Sequence, residues 1–374
     1  MIKKIFKLLF AKKEFNLPER KRILILDKVN SHLLTSLINE KVNILATRYE
    51  SINLLILLKV ILKFRFTFND YILEYIKYSG SSVIVSYIDN NLFYYKIKNF
   101  FPNIKIILIQ NGMRTSHFFE KLTEIKNAKV DYLLTFSQGY KKNFEKSVNA
   151  KIIPVGSIRN NQINISKTKK EILSFISSGP LASMTNKVKI FQNKEISAKI
   201  YYNVERKLIP IIYNFCKEHD LKLNIICRSK NNKSYGYEKK FYEDILKNKD
   251  FILSKTFNEE DSYKLSDASV ITSGVYSAFV LETVARGNKT AIFNARSKEI
   301  NEESVSLFWQ SKNILSRGSF WTETVDETEV KRTLKFCLNS TSDEWKSASE
   351  QIIPELINYD FENLTFRKLI NDTK

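Results

Sequence analysis

Hydrophobic positions along the chain fall into two alternating patterns. Short, continuous apolar runs occur at residues 22–27 (RILILD), 82–87 (SVIVSY), 105–110 (KIILIQ), 132–136 (YLLTF) and 151–155 (KIIPV). They are rich in β-branched residues and too short for helices, so each predicts a strand of a parallel sheet buried on both faces. Residues 41–47 (KVNILAT) read as a further strand. Between the runs, apolar residues recur every three or four positions, from about Ser31 and again over 54–78, which predicts helices. A second series follows, with strands at 171–176, 222–227 (KLNIIC), 251–254, 268–272 (ASVIT) and 289–293 (KTAIF). Helical patterns lie between them at 197–218, 237–248 and 278–286. Strands alternating with helices in this way predict an α/β fold.

The polar stretch 156–170 (GSIRNNQINISKTKK) separates the two series and reads as an interdomain linker. The expected organisation is an amphipathic segment over 1–20, a Rossmann-like domain over 21–160, a second over 161–340, and a C-terminal helical segment over 341–374. Two such halves predict a substrate cleft.

Composition narrows the class. Hydrophobic residues make up 43% of the 374 and aromatics 13%, enough for packed cores and against disorder. No run approaches the roughly 18 uninterrupted apolar residues of a membrane-crossing helix. Cys216, Cys227 and Cys337 are scattered, so reduced thiols in a reducing compartment are expected. His32, His117 and His219 lie far apart, and no metal site is expected.

The formal charge of +20 implies an acidic partner: nucleic acid, anionic lipid or a phosphorylated substrate. Much of it also follows from a lysine-rich composition with solvated side chains. No nucleic-acid-binding motif is present, so nucleic acid is not expected as a partner. The N-terminus favours a membrane surface. Ile2, Ile5, Phe6 and Leu9 share one helical face, and Lys3, Lys4 and Lys7 take the other, the pattern of a helix lying in a lipid interface. Residues 54–66 (LLILLKVILKFRF) are strongly apolar but interrupted by Lys59, Lys63 and Arg65. They read as a second interfacial helix or as a core helix with snorkelling lysines.

The stretch 265–294 (LSDASVITSGVYSAFVLETVARGNKTAIFN) carries the most chemistry. A strand ends at Thr272, Ser273-Gly274-Val275-Tyr276-Ser277 turns into a helix, and Glu282 follows on it. Hydroxyls beside unpaired N–H groups at a helix start suit a phosphate, and Glu282 suits ribose hydroxyls. The same residues also make an ordinary capped α/β turn. Arg228-Ser229-Lys230 puts two cations at a strand end, where a diphosphate or nucleoside monophosphate would sit, and Ser177-Ser178-Gly179-Pro180 offers a second phosphate-facing turn. In the first half, Asp89, His117 and Asp27 are the candidate general bases. Asn90, Gln110, Asn111, Gly112 and Arg114 are candidates for holding the second substrate or fixing their loop.

Two resemblances sharpen this. Residues 265–294 are similar to the donor-binding region of GT-B glycosyltransferases, where a strand, a small-residue turn with Ser or Thr and a helix bearing Glu occur in that order. The series Tyr87-Ile88-Asp89-Asn90, Ile109-Gln110-Asn111-Gly112-Met113-Arg114, Asp131-Tyr132-Leu133-Leu134-Thr135-Phe136 and Ile153-Pro154-Val155-Gly156-Ser157-Ile158-Arg159-Asn160-Asn161 resembles a family of bacterial surface carbohydrate biosynthesis proteins. These are GT-B glycosyltransferases used for O-antigen or capsule, and the resemblance spans about residues 22–337.

The resemblance implies two Rossmann-like domains of GT-B type. The donor nucleotide-sugar would be held by Ser178, Gly179, Arg228, Lys230, Thr272, Ser273, Gly274, Tyr276, Ser277 and Glu282. The acceptor, a glycan or lipid-linked glycan, would meet the first half at the cytoplasmic face of the inner membrane. No D-x-D element occurs, which argues against a metal-dependent GT-A enzyme, so no cofactor is expected beyond the nucleotide-sugar substrate. Two other readings stay open: a CDP-alditol-type phosphotransferase of the same fold, and a non-catalytic nucleotide-sugar- or glycan-binding assembly protein.

Overall fold

The computed structural model describes residues 10–163, 171–179, 186–189, 195–247, 250–256, 263–264, 270–273, 277–302, 306 and 314–373. The chain divides into two compact units: Met1–Gln162 together with Asn358–Lys374, and Ile163–Ile357. The expected interfacial helix around Ile2–Leu9 lies outside the described residues. Among those that are described, no helix is long and apolar enough to cross a membrane.

The first unit is built on six parallel strands: β1 (Ile23–Leu26), β2 (Asn43–Leu45), β3 (Val83–Ser86), β4 (Lys105–Ile109), β5 (Lys129–Thr135) and β6 (Asn149–Pro154). Their order across the sheet is β2-β1-β3-β4-β5-β6. Every residue of β1 and β3 is buried, as expected for strands covered on both faces. The order reverses between β1 and β3, so Asp27 and the segment from Tyr87 to Asp89 lie where open α/β sheets bind ligands. The Phe68–Ser79 helix starts at a reciprocal Thr67/Asp70 capping box and stops at Gly80 in left-handed backbone.

The 54–78 stretch resolves into two helices, Leu54–Leu62 and Phe68–Ser79. The expectation that 156–170 is a linker is corrected at its beginning. Ser157, Ile158, Asn160 and Asn161 are buried, because the chain end returns onto them. Asn161 Nδ2 donates to the Val155 carbonyl at 2.9 Å and to Asn363 Oδ1 at 2.8 Å, while Asn363 Nδ2 donates to the Ile158 carbonyl at 2.9 Å. Gly156 has a φ of 80°, and a Cβ there would overlap the Asn358 carbonyl, so only glycine fits. The Leu364–Asp372 helix then places Phe366, Leu369 and Ile370 in the same core cluster as Ile23, Val83 and Ile107. Residues 341–374 therefore divide between the units instead of forming one segment.

The second unit repeats the scheme with β7 (Ile172–Ile176), β8 (Lys222–Ile226), β9 (Ile252–Ser254), β10 (Val270–Ser273), β11 (Thr290–Phe293) and β12 (Trp321–Thr322). All six are parallel, in the order β9-β8-β7-β10-β11-β12. Within the unit this is the 3-2-1-4-5-6 order of a Rossmann sheet, with its switch point between β7 and β10. Cys216, Cys227 and Cys337 are buried free thiols, and burial pushes the Cys216 thiol up to about 12.

Candidate functional site

Because the second sheet is parallel, the carboxyl ends of β8, β7, β10 and β11 share one edge. Ser177–Gly179 follow β7, Arg228–Lys230 lie just beyond β8, Thr272 is in β10, and Asn294–Arg296 follow β11. Thus the residues expected to hold a phosphorylated ligand, far apart in sequence, come from neighbouring strands at the switch point.

The turn after β7 is built tightly. Gly179 has a φ of 62°, and a Cβ there would press on Arg228 Cβ and Glu238 Oε1, both at 3.2 Å. Its N–H donates to Ser177 Oγ at 2.9 Å, and Tyr242 donates its hydroxyl to the same Oγ at 2.7 Å. Tyr202 donates to the Gly179 carbonyl at 3.2 Å, and burial pushes its own phenol up to about 12. Glu238 organises the loop after β8: its two carboxylate oxygens accept the Arg228 and Ser229 backbone N–H groups, each at 3.0 Å. The Arg228 and Lys230 side chains are exposed at this edge.

Beneath the turn lies a buried ion pair. The Arg296 guanidinium donates to Glu205, which also accepts from the Ser178 hydroxyl. Arg296 lies over the Tyr201 ring at 4.4 Å, a cation–π contact. Burial works against its charge, but the Glu205 carboxylate and Tyr201 together outweigh that and raise its pKa above the ordinary value. Glu205 Oε2, Arg296 Nε, Ser229 Oγ and Thr272 Oγ1 are buried without a hydrogen-bond partner. Buried polar atoms are nearly always paired, and these four are among the exceptions in the described residues.

Glu282 is on the Ala278–Ala285 helix, buried, and accepts the Tyr263 hydroxyl at 2.6 Å. Ser277 caps that helix by accepting the Phe279 N–H at 3.3 Å. Gly274 and Tyr276 lie outside the described residues, as does the side chain of Ser273.

Sequence reasoning missed Glu205, Glu238 and Arg296. The signal was present for two of them. Glu205 lines up with Leu208, Ile209 and Ile212, and Glu238 with Phe241 and Tyr242, so each is an acid inside the apolar stripe of its helix. Arg296, like Arg228, is a cation just past a strand end.

In the first unit, the loop after β4 is held from within. Asp89 is fully buried; its Oδ2 accepts from Arg114 Nε at 2.8 Å, and its Oδ1 accepts from Arg114 Nη2 and from the Asn111 N–H. Burial opposes the Arg114 charge, but Asp89 prevails and raises its pKa. Gln110, also fully buried, donates to the Gly112 carbonyl and accepts from the Phe136 N–H, both at 2.9 Å. Asn111 Oδ1 accepts from Arg114 Nη2 at 2.5 Å. These contacts correct one expectation. Asp89 is a sealed ion-pair partner, not a carboxylate placed to take a substrate proton. Gln110, Asn111 and Arg114 fix the loop, one of the two roles expected of them. A Cβ at Gly112 would make only ordinary contact, with Arg114 Nη1 at 3.5 Å, so packing within the loop does not require glycine there. Asn90, one residue on from Asp89, is exposed.

His117 stands one residue into the Ser116–Thr123 helix that leaves this loop. Its Nδ1 lies 3.1 Å from Glu120 Oε2, and its side chain is 34% exposed. In the tautomer that donates Nδ1–H to Glu120, Nε2 is the basic nitrogen. Asp27, at the end of β1, has a φ of 80°, unusual for a residue with a side chain. Its Oδ1 accepts the Val29 N–H at 2.8 Å, and its Oδ2 accepts Arg48 Nε at 2.8 Å. Of the three candidate bases, His117 alone is partly open to solvent.

Solved structures share this fold. The chain aligns over 93% of its length with 99% of the UDP-GlcNAc 2-epimerase of Methanocaldococcus jannaschii, at 11% identity and a TM-score of 0.53. It aligns over 96% of its length with 90% of the wall teichoic acid polymerase TagF, also at 11% identity and a TM-score of 0.53. A chain of the Gap123 glycosylation-associated complex of Streptococcus agalactiae aligns with 82% of it, at 10% identity and a TM-score of 0.50, and there the protein spans only 58% of the longer chain. The fold is thus the two-domain, Rossmann-like architecture of GT-B glycosyltransferases and related epimerases. Residues 107–374 match the sequence model of a family described as "putative O-antigen biosynthesis protein", and the chain belongs to that family. No curated protein matches it in sequence.

Proposed function

We propose that the protein is a glycosyltransferase that moves a sugar from a nucleotide-activated donor to a lipid-linked or growing surface glycan at the cytoplasmic face of the inner membrane. The observation that carries this reading is the pair of buried, unpartnered hydroxyls of Ser229 and Thr272 at the strand ends of the second sheet, with the exposed cations of Arg228 and Lys230 in the same loop as Ser229. The buried Glu205–Arg296 pair keeps the β7 turn rigid. Arg228, Lys230 and the start of the Ala278–Ala285 helix neutralise the donor diphosphate as it leaves, the role a metal plays in other transferases. Glu282, fixed by Tyr263, receives ribose hydroxyls. His117 takes the proton of the acceptor hydroxyl, and Asn90 contacts the acceptor. The first unit carries the acceptor, the second the donor.

The test is thermal stabilisation by UDP, CDP, CMP, GDP and TDP, since a ligand that binds only the native state raises apparent stability. At least one nucleoside diphosphate should raise the melting temperature of the wild type, and Arg228→Ala/Lys230→Ala should abolish the rise. No stabilisation by any of the five would defeat the donor assignment. With the matching donor, product mass separates glycosyl from polyol-phosphate transfer.

A further inference from the structure

The Leu54–Leu62 helix presents an unusual outer face. Ile56 and Val60 are buried beneath it, yet Leu55, Leu58, Ile61 and Leu62 point to solvent, Leu62 with 68% of its surface exposed. The chain then turns and exposes two aromatic residues in succession on the same segment, Phe64 at 85% and Phe66 at 75%. Scattered exposed leucines are ordinary, but six large apolar side chains within twelve residues form a patch of the kind that marks an interaction site.

The turn shows that this exposure is built in. Phe64 has a φ of 54° at the position past a helix end where glycine is usual, and its N–H donates to the Ile61 carbonyl at 2.9 Å. Left-handed backbone is costly for an aromatic residue. The fold accepts that cost and keeps a phenyl ring in water.

Charge identifies what covers the patch. Residues 51–68 contain Lys59, Lys63 and Arg65 and no acid. Lys63 is tied to the buried Glu74 carboxylate at 2.6 Å, Lys59 lies over the Tyr78 ring at 4.8 Å, and Arg65 is exposed beside Phe64 and Phe66. A second copy of the chain docking face to face would bring these cations against one another, because a two-fold interface pairs the same surface with itself. Anionic headgroups would neutralise them while the acyl boundary takes up the leucines and phenylalanines. Upstream, the Lys12–Glu14 strand runs parallel to Ser51–Asn53, which lead into the helix, and it is flanked by exposed Phe10 and Phe15.

We infer that the outer face of residues 54–66 is the surface by which this protein docks on an anionic lipid bilayer. This deepens the membrane part of the proposed function and is independent of its donor part. The test is co-sedimentation of the full chain with phosphatidylcholine vesicles, with and without about 30% phosphatidylglycerol. The wild type should bind the anionic vesicles, more weakly as salt rises. Leu58→Ser/Leu62→Ser/Phe64→Ser/Phe66→Ser should lower that binding by roughly tenfold or more, since interfacial binding scales with buried apolar area. Lys59→Glu/Arg65→Glu should lower it on anionic vesicles alone. All the altered side chains are at the surface, and an unchanged nucleotide-induced thermal shift, or failing that an unchanged circular dichroism melt, shows that the fold persists.

Equal vesicle binding by the serine variant would overturn the inference. So would equal wild-type binding to vesicles with and without phosphatidylglycerol, or a concentration-dependent dimer that the serine variant abolishes while vesicles bind nothing. None of these results bears on nucleotide binding, so the two readings fail separately.

Discussion

Arg114 Nε donates to Asp89 Oδ2 at 2.8 Å, and its Nη2 reaches both Asp89 Oδ1 and Asn111 Oδ1, so one buried guanidinium ties the end of β3 to the loop after β4. Removing one partner of such a pair strands a buried charge. Asp89→Asn should therefore destabilise the protein by about 3–5 kcal/mol in urea unfolding, while Asp89→Leu/Arg114→Met, which removes both charges, should recover most of that loss. If Asp89 were instead a general base, Asp89→Asn would keep its stability and lose only turnover.

Asp131 gives a pH-dependent prediction. Burial pushes its pKa up, but the Lys98 ammonium at 2.7 Å and the Ile106 N–H at 2.9 Å outweigh that and hold it below the ordinary carboxylate value. A folded-state pKa below the unfolded one stabilises the protein above the unfolded pKa, and that stability is lost as pH falls through the folded pKa. The wild type should thus be more stable than Asp131→Asn at neutral pH. The gap should narrow steadily in the acid range below about pH 4. A constant gap from neutral pH into acid would mean that the ion pair contributes nothing.

Glu282 supplies a test of the donor side that is separate from the exposed cations. Its carboxylate is buried and held by Tyr263. Loss of a buried hydrogen bond to a ribose hydroxyl weakens binding by on the order of 1–3 kcal/mol. Titration calorimetry on Glu282→Ala should show that loss for whichever nucleotide stabilises the wild type. Unchanged affinity in a folded variant would move the ribose elsewhere.

The strands were legible in the sequence because parallel strands buried on both faces are short apolar runs. Of the twelve strands in the two six-stranded sheets all but β12 correspond to such a reading, with ends shifted by a few residues, whereas the short strands of the two-stranded sheets, such as Lys12–Glu14, do not. What the sequence concealed was what each polar residue faces. Asp89 after an apolar run reads as a cleft acid, and nothing local reveals that Arg114, twenty-five residues on, closes over it. Gly156 and Asn161 read as a polar linker because their partners, Asn358 and Asn363, lie about two hundred residues downstream. Glu205 and Glu238 were readable as acids at inward helical positions, but nothing local in the sequence reveals that they meet Ser178 and Gly179. The candidate phosphate-binding residues come to one sheet edge because parallel topology brings all strand ends together.

The catalytic prediction concerns His117. The hydroxyl that attacks an anomeric carbon needs a base within hydrogen-bond reach. Asp89 is sealed by Arg114, and Asp27 is held by the Val29 N–H and Arg48. His117 is partly exposed, stands at the start of a helix leaving the β4 loop, and has Glu120 at 3.1 Å from Nδ1 to fix its ring and favour a basic Nε2. His117→Gln should leave nucleotide-induced stabilisation unchanged and reduce turnover by roughly 10²–10⁴-fold, the usual contribution of general base catalysis. Glu120→Gln should have a smaller effect in the same direction, because it loosens the ring without removing the base. Near-normal turnover in His117→Gln would transfer the role to Asp27, whose left-handed backbone at the end of β1 already sets it apart. Comparing the anomeric configuration of product and donor completes the test. Inversion fits a single displacement assisted by His117, and retention requires a different role for it.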